Sequence, residues 1–441
     1  MFIFIDFLYC AQYDYYINTI TLHLNMLKFE KQINDNVHGY IGLTSDEIKV
    51  IDTKIFQRLR NIKQLGTADL VYPGATHTRF AHCLGTMFVL DQFAKNTVRE
   101  EIDDDELQKL RLAALMHDIG HYPFSHALEH TIVRELEGKN HVEFGMSLIK
   151  RFMSDKLERF SINEIIGIMS GKRKDAFGML MSSALDADKA DYMLRDSYNA
   201  GVPYGHIDLS SLMRILTFEK NRIVFEKDET PVESFLLGRY HLYRSVIHHK
   251  VVVSFGLMLQ KIFELLVNEN YIEDPKSIVK ESEEKISGYT DGLVYMAMHE
   301  YIRSGKNPLT RELILMFLER RPLELAYGTA VTANTGEPEE YSSIKRMESN
   351  NSAKKAFSEK ANVEKEWVFP VVLRTLGLID EETEIYIRRG KDTIRLIDSN
   401  ALVMKMIGKR VLFDARIYTK PGSGKKISKE FRKERGYVHV H

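Results

Sequence analysis

Residues 111–130 read RLAALMHDIGHYPFSHALEH. Leu112, Leu115 and Ile119 recur at helical spacing, so one face of this segment must be buried. His117, Asp118, His121, His126, Glu129 and His130 then follow within fourteen residues. His117 and Asp118 enter the interior beside the apolar face, where a carboxylate needs a partner or a metal. Gly120 is expected to end the helix and Pro123 to open the next one. In that second helix His126, Glu129 and His130 fall on one side, at i, i+3 and i+4. Two core helices with polar groups at their junction would be the plain reading. Burying so many titratable groups without a task is costly, which favours a site.

Two other stretches supply partners. Thr76–Gly85 is THTRFAHCLG and offers His82; Asp186–Asp196 is DADKADYMLRD and offers Asp188. His82 alone would read as a satisfied core histidine. With His117, Asp118 and Asp188 it forms a mixed nitrogen and oxygen donor set. Such a set suits a divalent ion (manganese, magnesium, iron, zinc or nickel) and leaves coordination positions for water and a phosphate oxygen.

The order His82, His117-Asp118, Asp188 resembles the HD-domain phosphohydrolases. FQRLRNIKQLG (56–66), YPGATHTRFAHCLG (72–85), HDIGHYPFSHALEH (117–130) and DADKADYMLRD (186–196) resemble the deoxynucleoside triphosphate triphosphohydrolase branch, over about residues 31–265. The resemblance implies a metal on those four residues and a dNTP substrate. Water would attack the α-phosphorus, and the deoxynucleoside and tripolyphosphate would separate. Such a reaction requires a polarised phosphate, cations along a tri-anion and a proton donor for the leaving 5′-oxygen. At matching positions His121, His126, Glu129 and His141 form the catalytic cluster, with His141 or His121 as the acid. Arg79, Lys189 and Arg239 match phosphate contacts. Gln64, Tyr192 and Asp196 match contacts to the sugar, and Tyr192 would close the space near C2′. Glu129 stands where the vertebrate enzyme has Asp, and Ile247 where many relatives have Tyr, which leaves base preference open. Lys31, Asp52, Gln57 and Arg60 match an activating nucleotide site between subunits. That site would require a homo-oligomer, a dimer or tetramer; a buried structural use of Asp52 and Arg60 is the alternative.

The 441 residues suffice for a large core and two or so domains. A formal net charge of −1 provides no chain-wide field to draw in nucleic acid or an anionic membrane. Cys10 and Cys83 give no disulfide framework, and a cytoplasmic location is expected. Residues 1–25 are aromatic and apolar, lack Lys and Arg, and are interrupted by Asp6. They fit neither a secretory signal nor a membrane span. They are expected to be a dispensable extension, with Met26 as the working start.

The fold class expected is mainly α, an HD-domain helical fold with a smaller C-terminal α+β region. The HD domain is placed at 26–325, with its metal-site core at about 76–200. Helices are expected at 45–65, around His82, at 141–155, 161–170 and 185–198, over 233–268 and through most of 275–321. Residues 222–225 read as a strand. Residues 326–351 read as a polar loop or hinge, and 352–441 as the α+β region, with a hairpin at 384–397 and a strand at 411–418. The final PGSGKKISKEFRKERGYVHVH reads as a solvated basic helix and tail, or as an anion or subunit contact. Competing functions are an HD phosphatase or phosphodiesterase acting on another nucleotide, and a nucleotide sensor with a vestigial site. Three cations, Arg79, Lys189 and Arg239, favour a triphosphate. The basic segment 405–435 leaves single-strand binding as a side activity.

Overall fold

In the computed structural model, which describes residues 27–97, 102–219, 222–226, 228–333, 336–373, 385–399 and 411–434, the fold grows around the helix Arg79–Thr97. The expected 1–25 extension and the end of the basic tail lie outside the described residues. Arg79–Thr97 packs between the helices Asp104–Met116 and Ala187–Ala200. In Asp104–Met116 every residue from Leu110 to Met116 is buried, so the run RLAALM is core on all sides. Its one charged member, Arg111, is held by Glu47 at 2.6 Å and Asp91 at 3.0 Å, which satisfies a buried guanidinium.

Before this core come β1 (Lys31–Asp35) and β2 (Gly39–Leu43), an antiparallel hairpin whose Gly39 has φ +72°. After it, His126–Arg134 and His141–Phe152 flank the site. His141–Phe152 starts from a capping box of Asn140 and Glu143. β3 (Leu216–Glu219) and β4 (Arg222–Glu226) lead to the helix Thr230–Leu242, a π-turn at Tyr243–Ile247 and the helix Lys250–Asn268. Among the described helices, Lys250–Asn268 is long and apolar enough to cross a membrane, yet half of it is buried, with Phe255, Met258, Ile262 and Phe263 in the core.

Further along lie β5 (Glu324–Ala333), β6 (Val368–Val372), β7 (Tyr386–Arg389), β8 (Asp392–Arg395) and β9 (Val411–Thr419). β5 and β6 both pair with β9, while β7 pairs in parallel with β4. The late hairpin β7–β8 is thus stitched to residues 222–226.

Four expectations are corrected. Residues 45–65 are not one helix: Thr53 donates to the Val50 carbonyl and caps Phe56, so the chain breaks at Asp52–Thr53 and continues as short turns. Pro123 does not open a helix. The helix starts at His126, after Phe124 and Ser125 adopt positive φ. Residues 326–351 are not a loop. β5 is an edge strand paired along its length with β9, and the helix Glu339–Ser349 buries Tyr341, Ile344 and Met347. Their polar composition reflects half-exposed elements rather than absent structure. The basic helix, Gly424–Lys433, is not fully solvated, because Ile427 and Phe431 are buried and Phe431 meets Tyr327 at 4.4 Å.

Candidate active site

Three helices deliver four donor groups to one point. His82 sits in the first turn of Arg79–Thr97, His117 caps the end of Asp104–Met116 with Asp118 next to it, and Asp188 lies in the first turn of Ala187–Ala200. His82 Nε2 is 3.0 Å from Asp188 Oδ1 and 3.6 Å from Asp118 Oδ2. His117 Nε2 is 3.3 Å from Asp118 Oδ1 and 3.7 Å from Asp188 Oδ1. Each imidazole is anchored through its other nitrogen. His82 Nδ1 is 2.7 Å from Asp191 Oδ2, and His117 Nδ1 is 2.8 Å from the Ala114 carbonyl. Donation from Nδ1 leaves the Nε2 lone pair facing the carboxylates, the form in which histidine binds a metal. His117 Nε2 is buried and makes no hydrogen bond, which fits a ligand atom waiting for a cation. His82, His117 and Asp118 together could hold a metal ion, and the contacts of Asp188 add a fourth donor.

Without an ion, the same carboxylates favour a proton on the imidazole in its place. Burial alone would lower the His82 pKa, yet its bonds to Asp188 and Asp191 outweigh that and raise it to about 10. Burial likewise raises Asp118 and Asp188, but Arg79 and His117 for the first, and His117 and His82 for the second, hold both well below the usual carboxylate range. The pocket is built to stabilise positive charge at this point.

A second histidine group adjoins the first. His121 stacks on His141 at 4.2 Å, with rings 10° apart, and meets His126 edge-on at 4.7 Å. Glu129 bonds His141 Nδ1 at 2.5 Å with one oxygen and His126 Nδ1 at 2.7 Å with the other. Burial would raise Glu129, but these two imidazoles hold it low and ionised. His121 Nε2 lies 3.2 Å from Asp118 Oδ1 and so links the two groups. Burial, reinforced by the Arg79 charge, keeps His121 well below the ordinary histidine range. His130 is exposed and takes no part.

Of the expected phosphate and sugar residues, Arg79 and Lys189 adjoin this centre directly. Arg79 lies against Asp118 at 2.5 Å and Ser125 Oγ at 2.9 Å. Lys189 bonds Asp186 at 2.7 Å; burial lowers its pKa, and Asp186 and Asp188 more than restore it. Arg239 is buried, 5.9 Å from the centre of the Tyr243 ring, which in turn meets Tyr192 at 6.5 Å. The Gln64 amide oxygen is buried without a hydrogen bond. Asp196 is bonded by His77 at 2.7 Å. Ile247 ends the π-turn that begins at Tyr243.

The four residues matched to a regulatory site lie apart from this centre, at the surface. Lys31 and Asp52 are exposed, and Asp52 lines a pocket with Lys49, Lys54, Lys156 and Arg159. Gln57 bonds the Ile51 carbonyl at 2.8 Å, and the Arg60 guanidinium lies 3.5 Å from the centre of the Phe80 ring. Within the chain Asp52 and Arg60 are both exposed, and the buried arginine of FQRLR is Arg58, bonded to the carbonyls of Ile119 and Tyr289.

Several contributors escape a reading of the sequence. Asp191 appears within DADKADY, but only the helix register turns it toward His82. Ser125 joins Arg79 to the Lys63 carbonyl, and Asp291 fixes the backbone N–H groups of Phe124 at 2.6 Å and Lys63 at 3.1 Å. These clamps hold Phe124 and Ser125 in a backbone conformation that non-glycine residues seldom adopt.

Comparison with known proteins fits this geometry. A family model described as HD domain matches residues 79–196, from Arg79 to Asp196, so this segment carries an HD domain. An uncharacterized protein of Methanocaldococcus jannaschii is 42% identical over 52% of this chain and 49% of that protein. A Dictyostelium discoideum protein named deoxynucleoside triphosphate triphosphohydrolase SAMHD1 homolog is 30% identical over 58% of this chain and 54% of its own length. The chain thus spans about half the length of these relatives. A hypothetical protein of Aquifex aeolicus superposes with TM-score 0.72 at 26% identity, covering 91% of this chain and 99% of that one.

Proposed function

We propose that this protein hydrolyses deoxynucleoside triphosphates to deoxynucleoside and tripolyphosphate. The observation that carries the reading is the set of two histidines and two carboxylates, buried but for Asp188, and one link away, through Asp118 and His121, from the histidines held by Glu129. A divalent ion held by His82, His117, Asp118 and Asp188 would polarise the α-phosphate. Arg79, Lys189 and Arg239 spread positive charge along the phosphate chain. The Gln64 amide oxygen is an acceptor for the sugar hydroxyl, and Asp196, bonded by His77, is the second sugar contact. Water forms the new bond to the α-phosphorus as the bond to the 5′-oxygen breaks, and the proton it loses passes to solvent as the tripolyphosphate leaves. His141 gives its proton to that oxygen. Glu129, bonded to Nδ1, leaves Nε2 as the atom that carries it. His126, on the second oxygen of Glu129, keeps the carboxylate oriented.

The surface group of Lys31, Asp52, Gln57 and Arg60 is part of the same proposal, as an activating nucleotide site completed by a second subunit. Support for the reaction comes from the named Dictyostelium relative and from the number of cations at the site.

Product analysis tests it. The purified chain is incubated with each dNTP, singly and mixed, with Mn²⁺ or Mg²⁺, and the products are separated by ion exchange. Deoxynucleoside plus tripolyphosphate is expected, absent in Asp188→Ala. Activity confined to the mixture, with a mass increase in light scattering, would support the subunit-bridging activator. Diphosphate or monophosphate products would overturn the proposal.

A further inference from the structure

The β1–β2 hairpin lies outside the matched segment 79–196, yet its turn reaches the candidate metal centre. Asp35 Oδ1 accepts the backbone N–H groups of Val37 at 3.0 Å and His38 at 2.9 Å, which folds the turn. The His38 ring then points inward, 4% exposed, and packs 5.0 Å from the Phe88 ring. His38 Nε2 is 2.6 Å from Asp191 Oδ1, and the other oxygen of Asp191 is 2.7 Å from His82 Nδ1. Arg195 grips Asp191 at 2.9 and 3.0 Å and Asp35 at 2.8 and 3.1 Å, closing the chain of contacts. Gly85 makes room for it: a Cβ there would stand 1.9 Å from Asp191 Oδ1 and 2.3 Å from Arg195.

We infer that Asp191 and His38 are positioning residues for His82, so that the hairpin is a working part of the metal centre. A histidine that donates from Nδ1 to a fixed carboxylate is locked with its Nε2 lone pair free and its ring plane set. Asp191 is fully buried, so its placement depends on its three donors: His82, His38 and Arg195. Without His38 the carboxylate is drawn to Arg195 alone, and the hydrogen bond that sets the His82 ring is loosened. A plain structural role for the network would affect folding without a selective effect on metal affinity.

The inference rests on the metal reading of the site, and the test separates the two. Mn²⁺ affinity of the full chain is measured by chelator competition, with metal content after dialysis at fixed free Mn²⁺ and the thermal midpoint of the metal-free protein. Asp191→Asn is expected to weaken Mn²⁺ binding by about 10–100-fold. His38→Ala should shift affinity in the same direction by less. His38→Gln, whose amide can still donate to Asp191, should recover most of that loss at a similar thermal midpoint. Folded His38→Ala and Asp191→Asn proteins with wild-type Mn²⁺ affinity would overturn this inference alone. A wild-type chain that binds no divalent ion would overturn it together with the metal reading.

Discussion

The two histidine groups are neighbours with different surroundings. The side chains of His82 and His117 are 1% and 8% exposed, whereas those of His141 and His126 are 24% and 63% exposed. The Nδ1 atoms of the first pair are tied to two separate acceptors; those of His126 and His141 share one carboxylate, Glu129. A sealed pair among carboxylates suits a permanently held cation. A partly open pair on one carboxylate suits proton exchange with a substrate that comes and goes. Similar residues thus sit in different surroundings, and the proposed function gives them different tasks for that reason.

The largest expected effect breaks the first group. His117→Ala or Asp188→Ala should lose bound metal and all measurable hydrolysis, and extended dialysis against chelator should do the same to the wild type until Mn²⁺ is restored. Metal analysis beside turnover checks both. Next, Glu129→Gln or His141→Ala should lower kcat by about 10²–10⁴-fold while metal content stays at the wild-type level. Equal loss of metal in these variants would erase the distinction between the groups.

A smaller effect concerns the loop that separates them. Burial raises the Asp291 pKa to about 6, above the unfolded value of 3.8. Between those values the folded state binds the extra proton, so this group's contribution to stability falls as pH rises from about 4 through 6, by of order 3 kcal/mol. Urea unfolding of wild type and Asp291→Asn across that range should show the slope in the first and its absence in the second. At pH 7 the Asn variant trades this burdened charge for a mismatched donor at the Lys63 N–H, so the net difference there should be only about 1–2 kcal/mol.

Much of the site was legible because its ligands occur in short motifs whose spacing reflects chemistry. His82, His117, Asp118 and Asp188 converge as expected, as do His121, His126, Glu129 and His141. What could not be read depends on contacts between distant segments. His38 and Asp191 are 153 residues apart, and nothing local to NDNVHGY announces an inward-pointing imidazole. The positive φ values of Phe124 and Ser125 were hidden for a similar reason. They depend on Asp291, Lys63 and Arg79, which overrule the expectation that Pro123 starts a helix. The error at 326–351 has another cause. An edge strand with one exposed face needs few apolar residues, so β5 resembles a loop in composition until β9 is beside it.

The most direct test is metal stoichiometry in three proteins: wild type, His117→Ala and His141→Ala, each dialysed at the same free Mn²⁺ and counted by mass spectrometry. The expected result is about one ion per chain in the wild type and in His141→Ala, and none in His117→Ala. An ion that survives His117→Ala but disappears in His141→Ala would assign the metal to the other histidine group and contradict the division of tasks.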